Sequence, residues 1–372
     1  MIRIAIIAGL MHAGGKRNLI MEYYRHIDRS QIQFDFLCDE DSNGIPEDEI
    51  LSLGGRIYLV PPFTHFLSHI RNTYQILKNN HYPIVHAYDN TLNLFPMFLS
   101  WKAGIKVRIS ESISKGDKNE KKTFIKYLLR PFSHWFTTDL MANSVDCGIW
   151  QFGKKAYMNG EITIFKSVID AKANAFNREV RIAMRHKHGW EDKVVYGFIG
   201  RYVAQKNPLK LIDIFREIAL RQKNALLVMI GYGDMEKAMM NRIHQYGLSD
   251  KVINLGRRED IGPYYDAFDA FLLPSLYEGM PVVGVEAQCH GLPVFFSNHV
   301  TEETTACALA NYLDLEASSA DWAEQIMTVT EKEMLIRRDR SLEILEAGFD
   351  SMEESKRLQA FYEAKLRQHA SE

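Results

Sequence analysis

Residues 271–296 read FLLPSLYEGMPVVGVEAQCHGLPVFF, and the rest of the chain is organised around this stretch. Phe271 to Leu273 is an apolar run that Pro274 stops, and a second run ending at Phe296 is entered through Gly291 and Pro293. Such runs are expected of strands buried on both faces, as in a parallel sheet. Between them lie Glu278 and Glu286, with seven residues separating the two. Gly279 has no side chain and so lets backbone amides approach a ligand, and Pro281 suits the first turn of a helix. That helix would carry Glu286 on its face toward the loop. Helix N-termini attract anions, so a ligand offering hydroxyls beside a phosphate is expected here.

Ser275, Glu278, Gly279, Pro281, Glu286, Gly291, Pro293 and Val294 together resemble the signature of family 4 of the retaining GT-B glycosyltransferases, the bacterial exopolysaccharide and capsule type. The resemblance covers essentially the whole chain, with its specific motifs in the second half. It implies an α/β fold of two Rossmann-like doubly wound domains facing a cleft. Residues 1–170 would form the acceptor-side domain, 171–350 the nucleotide-sugar domain, and 351–372 a helix crossing back to the first. It also implies that Glu278 and the following Gly279, Met280, Pro281 and Val282 contact the donor sugar, while Glu286 takes the ribose hydroxyls. The implied reaction moves a hexose or N-acetylhexosamine, with retention, from a nucleotide diphosphate sugar to a growing glycan. A UDP-linked donor and a lipid-linked acceptor are expected.

The same half holds a second motif. Val194 to Ile199 is apolar and β-branched and leads into Gly200, Arg201, a short spacer, Lys206, Asn207 and Pro208. Asn207 suits an N-cap and Pro208 the first helical position, so Arg201 and Lys206 are expected in an exposed loop at a strand's carboxyl edge. Two cations above a helix N-terminus make a diphosphate site. The pattern matches the family's second signature, and the pair would stabilise charge on the leaving diphosphate. Leu226 to Ile230 with Gly231 and Gly233 resembles a nucleotide-binding turn. Asp321 to Glu346 and Ser351 to Gln368 are expected to be helical.

In the first half, Arg3 to Ala8 is an apolar strand followed by Gly9, His12, Gly14 and Gly15 and then a helical stretch. The glycines do not follow the dinucleotide spacing G-x-G-x-x-G. They resemble the Gly-Gly loop of GT-B enzymes, which assigns donor phosphate contacts to Gly14 and Gly15. Further strands are expected at Gln33–Leu37, Arg56–Leu59, Ile84–His86 and Lys106–Ile109. Asp39, Glu40 and Asp41 read as a solvated acidic turn rather than a metal motif. His86 at a strand end and Glu111 in the turn Ser110–Ser112 are acceptor-side candidates, although each could equally be structural. Related sequences often place His where Glu111 stands. Lys115 to Trp135 interleaves lysines with aromatics, which suits either an anionic membrane surface or an amphipathic helix packed on the sheet.

Length and composition bound these readings. The chain has 372 residues, enough for two domains. A net charge of -2 gives no drive toward nucleic acid. Cys38, Cys147, Cys289 and Cys307 lack the close spacing of metal or redox motifs. No apolar run reaches the roughly 20 residues that span a bilayer, and the N-terminus lacks a cleavage site, so a cytoplasmic or peripheral protein is expected. No metal or cofactor is expected, because the two cations replace a metal at the diphosphate. Glu286 is expected at ribose, away from the anomeric carbon, which does not fit a two-carboxylate glycosidase. Front-face attack with the leaving phosphate as base is the favoured chemistry. A nucleotide-sugar epimerase or phosphorylase, and a non-catalytic partner of another transferase, stay open.

Overall fold

The computed structural model describes residues 1–12, 14–114 and 123–370. They divide into two compact units, Met1–Val168 with Asp350–Glu372, and Ile169–Phe349. The first is built on a parallel sheet of β1 (Ile2–Gly9), β2 (Ile32–Asp39), β3 (Arg56–Val60), β4 (Ile84–Ala87), β5 (Val107–Ser112), β6 (Asp139–Ala142) and β7 (Ile162–Ile164). Their order is β3-β2-β1-β4-β5-β6-β7. The second holds β8 (Val194–Ile199), β9 (Ala225–Ile230), β10 (Val252–Asn254), β11 (Ala270–Leu273), β12 (Val294–Ser297) and β13 (Ala310–Leu313), in the order β10-β9-β8-β11-β12-β13. Each unit is therefore doubly wound, and in each the strand order reverses beside the first strand. Loops leaving β1 and β4, or β8 and β11, part in opposite directions and leave a crevice at the carboxyl edge.

The apolar runs follow from burial on both faces. Along β1, Ile4, Ile6 and Ala8 join a core with Tyr24, Phe34 and Phe36, while Ala5 and Ile7 join another with Leu77, Val85 and Met97. The C-terminal helix, Ser351–Ala370, brings Leu358 and Tyr362 into the first of these cores. In the second unit the Phe268 ring fills the place of a side chain on Gly197, where a Cβ would fall 2.1 Å from Phe268 Cδ2.

Four expectations need correction. The strand expected to stop at Ile109 continues to Ser112, pairing Glu111 with Met141, so Glu111 is a strand residue and not part of a turn. The long helix expected over residues 321–346 is two, Ser319–Met334 and Ser341–Glu346. Between them Arg337 turns inward and donates to the carbonyls of Tyr265, Phe268 and His290, an anchor that a continuous helix would not deliver. The edge strand β13 was not foreseen. The acidic turn begins only at Glu40: Asp39 is the last residue of β2 and is buried. Of the lysine-rich stretch from Lys115, residues 115–122 lie outside the described residues.

Burial raises the Asp39 carboxyl to about 6, against the opposing pull of His69, whose Nδ1 lies 3.7 Å from Oδ1. An unfolded Asp titrates near about 4, so between about pH 4 and 6 the unfolded chain loses a proton that the folded chain keeps. The stability contributed by this carboxyl is complete below that window and is lost as pH rises through it. Asparagine cannot ionise. The melting-temperature advantage of Asp39→Asn over the wild type should therefore widen as pH rises through the window and level off above it. A gap that is constant with pH would contradict the assignment.

Candidate active site

The loops that leave β8 and β11 are laced together by one carboxylate. Lys206 closes a short turn, Ala204–Lys206, and Pro208 opens the helix Pro208–Arg221. Asn207 stands at the cap position but makes no side-chain cap bond; its left-handed backbone, φ 52°, redirects the chain instead. Lys206 Nζ lies 2.6 Å from Glu278 Oε1, and the same oxygen accepts from Ser275 Oγ at 2.7 Å. Gln205 Nε2 donates to Glu278 Oε2 at 3.2 Å and to the Tyr277 carbonyl at 3.1 Å. The Leu276 amide returns a bond to the Gln205 carbonyl at 2.8 Å. Glu278 is buried and Lys206 nearly so, its side chain 13% exposed, unlike the open loop residue expected. Arg201 remains exposed, and among the described residues its guanidinium makes no hydrogen bond or ion pair.

The glycine turn after β9 supports this loop from below. A Cβ on Gly231 would fall 1.9 Å from the Gly200 carbonyl oxygen, and one on Gly233 2.3 Å from that of Tyr202. Close backbone approach is thus a sufficient reason for both glycines.

Past Glu278 the chain enters the helix Val282–Cys289, with Pro281 at the position before it. The Met280 side chain packs away into a core with Val285, Cys289 and Ile344, and Val282 lies against the same core. What Gly279 to Val282 can offer outward is backbone, with first-turn amides that have no acceptor inside the helix. Farther along, Glu286 Oε2 accepts from Tyr265 Oη at 2.8 Å. Burial first, and the Glu286 charge second, push the Tyr265 phenol well up, so it stays protonated and donates. His290 stacks on the Tyr265 ring and places Nδ1 2.8 Å from Asp266 Oδ1. The roles of Tyr265 and Gln205 in holding Glu286 and Glu278 are not legible locally, because those contacts span 21 and 73 positions of sequence.

In the first unit, Gly14 precedes the helix Gly15–His26, with open space where a Cβ would stand on either glycine. The next residue, Lys16, reaches Asp89 Oδ1 at 2.6 Å and the Ala8 carbonyl at 2.5 Å. Gly9 has φ 52°, and a Cβ there would fall 2.1 Å from Asp89 Oδ2. Lys16 and Asp89 therefore span the crevice between β1 and β4, and their pairing was missed. His86 and Glu111 lie deeper. His86 Nε2 is 2.9 Å from Glu111 Oε2, a close ion-pair distance without good hydrogen-bond alignment. On its other side, Nδ1 is 2.8 Å from Tyr362 Oη and 3.2 Å from Tyr88 Oη. Burial, followed by the Glu111 charge, raises the phenols of Tyr23, Tyr88 and Tyr362 well above their ordinary value. Both acceptor-side candidates thus face the core under the C-terminal helix, with residue exposures of 0% and 2%.

Residues 180–342 match the family model described as glycosyl transferases group 1. The chain is 31% identical over 335 residues to the putative glycosyltransferase EpsF of Bacillus subtilis, covering 87% of this chain and 86% of that one. The chain belongs to the group 1 glycosyltransferases. It is also 25% identical to an Escherichia coli UDP-Gal:alpha-D-GlcNAc-diphosphoundecaprenol alpha-1,3-galactosyltransferase, over 80% of this chain and 79% of the other. The capsular polysaccharide biosynthesis glycosyltransferase CapH of Staphylococcus aureus is 22% identical over 88% and 90%. Among solved structures, Anabaena HepE in complex with UDP-glucose superposes with a TM-score of 0.78 at 17% identity, covering 98% of this chain and all of HepE. That likeness identifies the fold as GT-B.

The site geometry makes Glu111 a core residue. Glu111→Gln should lower stability by about 1–3 kcal/mol, the cost of disturbing a buried polar partner, seen as a lower melting temperature. Turnover per folded molecule should not change. A variant that melts normally but turns over abnormally would show that Glu111 acts at the reaction instead.

Proposed function

We propose that this group 1 glycosyltransferase moves a hexose or N-acetylhexosamine from a UDP-sugar to a lipid-linked growing glycan, with retention of anomeric configuration. The observation that carries this reading is the joining of Lys206, Ser275 and Glu278 at the β8–β11 crevice, with Arg201 on the same loop as Lys206. Diphosphate departure develops negative charge, and fixed cations beside helix N-termini are what such a step needs. Glu286, held by Tyr265, takes the ribose hydroxyls, and Glu278 with the amides of Gly279 to Val282 takes the sugar. Gly14 and Gly15 offer bare backbone to phosphate at the head of the helix Gly15–His26.

The donor class is supported by the HepE complex with UDP-glucose and by the UDP-Gal named for the Escherichia coli relative. That relative's name also supplies a diphosphoundecaprenol acceptor. No described helix is long and apolar enough to cross a membrane, so a lipid-linked acceptor would be met by peripheral attachment. In the proposed step the bond from the anomeric carbon to the phosphate oxygen breaks while one to the acceptor oxygen forms on the same face. The acceptor proton passes to the departing phosphate. Metal is not required, since Arg201 and Lys206 supply the positive charge.

The experiment is product analysis with UDP-glucose, UDP-galactose and UDP-N-acetylglucosamine against polyprenyl-diphosphate sugars, run in a chelator. A product with the donor's anomeric configuration is expected. Inversion would overturn the front-face step, and activity restored only by added magnesium or manganese would overturn metal independence. Release of epimerised sugar nucleotide without acceptor would make the chain an epimerase.

Lys206→Ala should lower turnover by about two to three orders of magnitude, as when a preorganised charge stabiliser is removed. Removing the ammonium also leaves Glu278 with only Ser275 and Gln205, so a modest fall in melting temperature is expected beside it. Near-normal turnover would move the diphosphate site elsewhere.

A further inference from the structure

The first unit presents aromatic side chains that its own core leaves exposed. On the helix Leu94–Lys102, Phe95, Phe98 and Trp101 recur at every third residue, with Phe98 39% and Trp101 53% exposed. Phe136 packs against the outer two, its ring centre 5.1 Å from that of Phe98 and 5.2 Å from that of Trp101. Phe66 meets Phe95 at 5.2 Å on the other flank. In the turn before Phe136, Trp135 packs on Phe132 at 4.8 Å and is itself 51% exposed.

The backbone is bent to build this surface. Phe136 has φ 62°, a conformation that a bulky side chain rarely adopts, and Arg108 Nε fixes it by donating to the Phe136 carbonyl. Such conformations persist where the surroundings over-determine them, and they cluster where a protein binds something. Contiguous exposed aromatics on a soluble unit mark an interaction surface.

The charge around the patch identifies the partner. Residues 50–114 and 123–138 contain eight Lys and Arg against two Asp and Glu, although the whole chain carries -2. Both acids are engaged within the unit, Asp89 by Lys16 and Glu111 beside His86. The helices Phe66–Asn80 and Leu94–Lys102 and residues 123–138 contain no acid at all. Lys102 and Lys78 lie over the Tyr74 ring at 5.3 and 5.8 Å, which puts exposed ammonium groups beside the aromatic helix. A second copy would set like charges face to face. An anionic bilayer would neutralise them.

We propose that this surface seats the first unit on an anionic phospholipid bilayer, with the Trp101 and Trp135 rings at headgroup level and the lysines among lipid phosphates. The inference rests on the peripheral attachment proposed above and gives it a surface argued from residues other than 115–122.

The test uses the full-length protein with phosphatidylcholine vesicles, with and without phosphatidylglycerol. Of the five tryptophans, Trp190 and Trp322 are buried, so a blue shift of indole emission on adding acidic vesicles reports chiefly on this surface. Wild type should float with acidic vesicles and shift. Trp101→Ser with Trp135→Ser should partition about tenfold less or weaker still, with unchanged melting temperature and unchanged turnover on a water-soluble acceptor. Should that variant fold poorly, Lys78→Glu with Lys102→Glu leaves the aromatic packing in place and should also lose flotation. Flotation of both folded variants at the wild-type level would overturn the surface while leaving peripheral attachment standing. Wild type that fails to float would remove both. A lipid-free dimer that the tryptophan substitutions convert to monomer would make the patch a self-interface and overturn the proposal.

Discussion

A buried carboxylate must be answered by donors, and the carboxyl edge of the second sheet is shaped by how Glu278 is answered. Ser275 comes from its own loop, whereas Gln205 and Lys206 come from the loop after β8, so satisfying one side chain fixes two loops against each other. Removing a partner from a buried charge costs more than the bond itself was worth, because the charge is then left desolvated. The two loops therefore hold their relative positions as a unit. A site that has to present amides and cations with sub-ångström tolerance is better built from such a clasp than from two independent loops.

The same device recurs wherever strand order reverses. In the first unit Lys16, just after the glycine loop, crosses to Asp89 beyond β4, and Gly9 is bare because that carboxylate lies against it. Deeper in the second unit, Asp269 at the foot of β11 accepts from the Val195 amide at 2.8 Å and from Arg185 at 3.0 Å. Arg337 lies close by, and burial pulls its guanidinium down to about 9, which still leaves it charged at neutral pH. Its donation to four carbonyls, of Tyr265, Asp266, Phe268 and His290, explains why the helix after Met334 breaks where periodicity alone would continue it. Parallel strands supply the hydrophobic layers, and buried ions supply the registry between the loops that those layers leave unpaired.

These facts separate what the sequence shows from what it hides. The strands were legible because burial on both faces leaves an unbroken apolar run, and β8 was read with both ends correct. Edge strand β13 was not, since Ala310, Asn311 and Tyr312 are only half-buried and the apolar signal is diluted. Glu278 and Lys206 were legible as motif members, but their contact spans 72 positions and no local pattern encodes it. Glu111 was misread for the same reason. Its neighbours in space, His86 and Tyr362, lie far away along the chain, so an acidic residue between two serines looked like a turn. The departure from the usual His at that position needs no catalytic explanation once the buried pairing with His86 is seen.

The unequal states of Arg201 and Lys206 bear on how a donor could be recognised. Lys206 is already neutralised by Glu278 at 2.6 Å, whereas Arg201 is exposed. On the proposed reading an incoming diphosphate meets Arg201 first, at an on-rate helped by its charge, and draws Lys206 only at close range. Glu278 keeps Ser275 and Gln205 when Lys206 turns, so the carboxylate is never wholly without donors. Its Oε1, shared by Lys206 and Ser275 before binding, would then gain room for a sugar hydroxyl, which donates as the ammonium did. Phosphate and sugar recognition would be coupled through one lysine: a nucleotide without its sugar would draw Lys206 away and leave Glu278 short of a donor, while the intact donor replaces what it removes. On that reading, discrimination between sugar nucleotide and bare nucleotide would follow from satisfying a buried carboxylate.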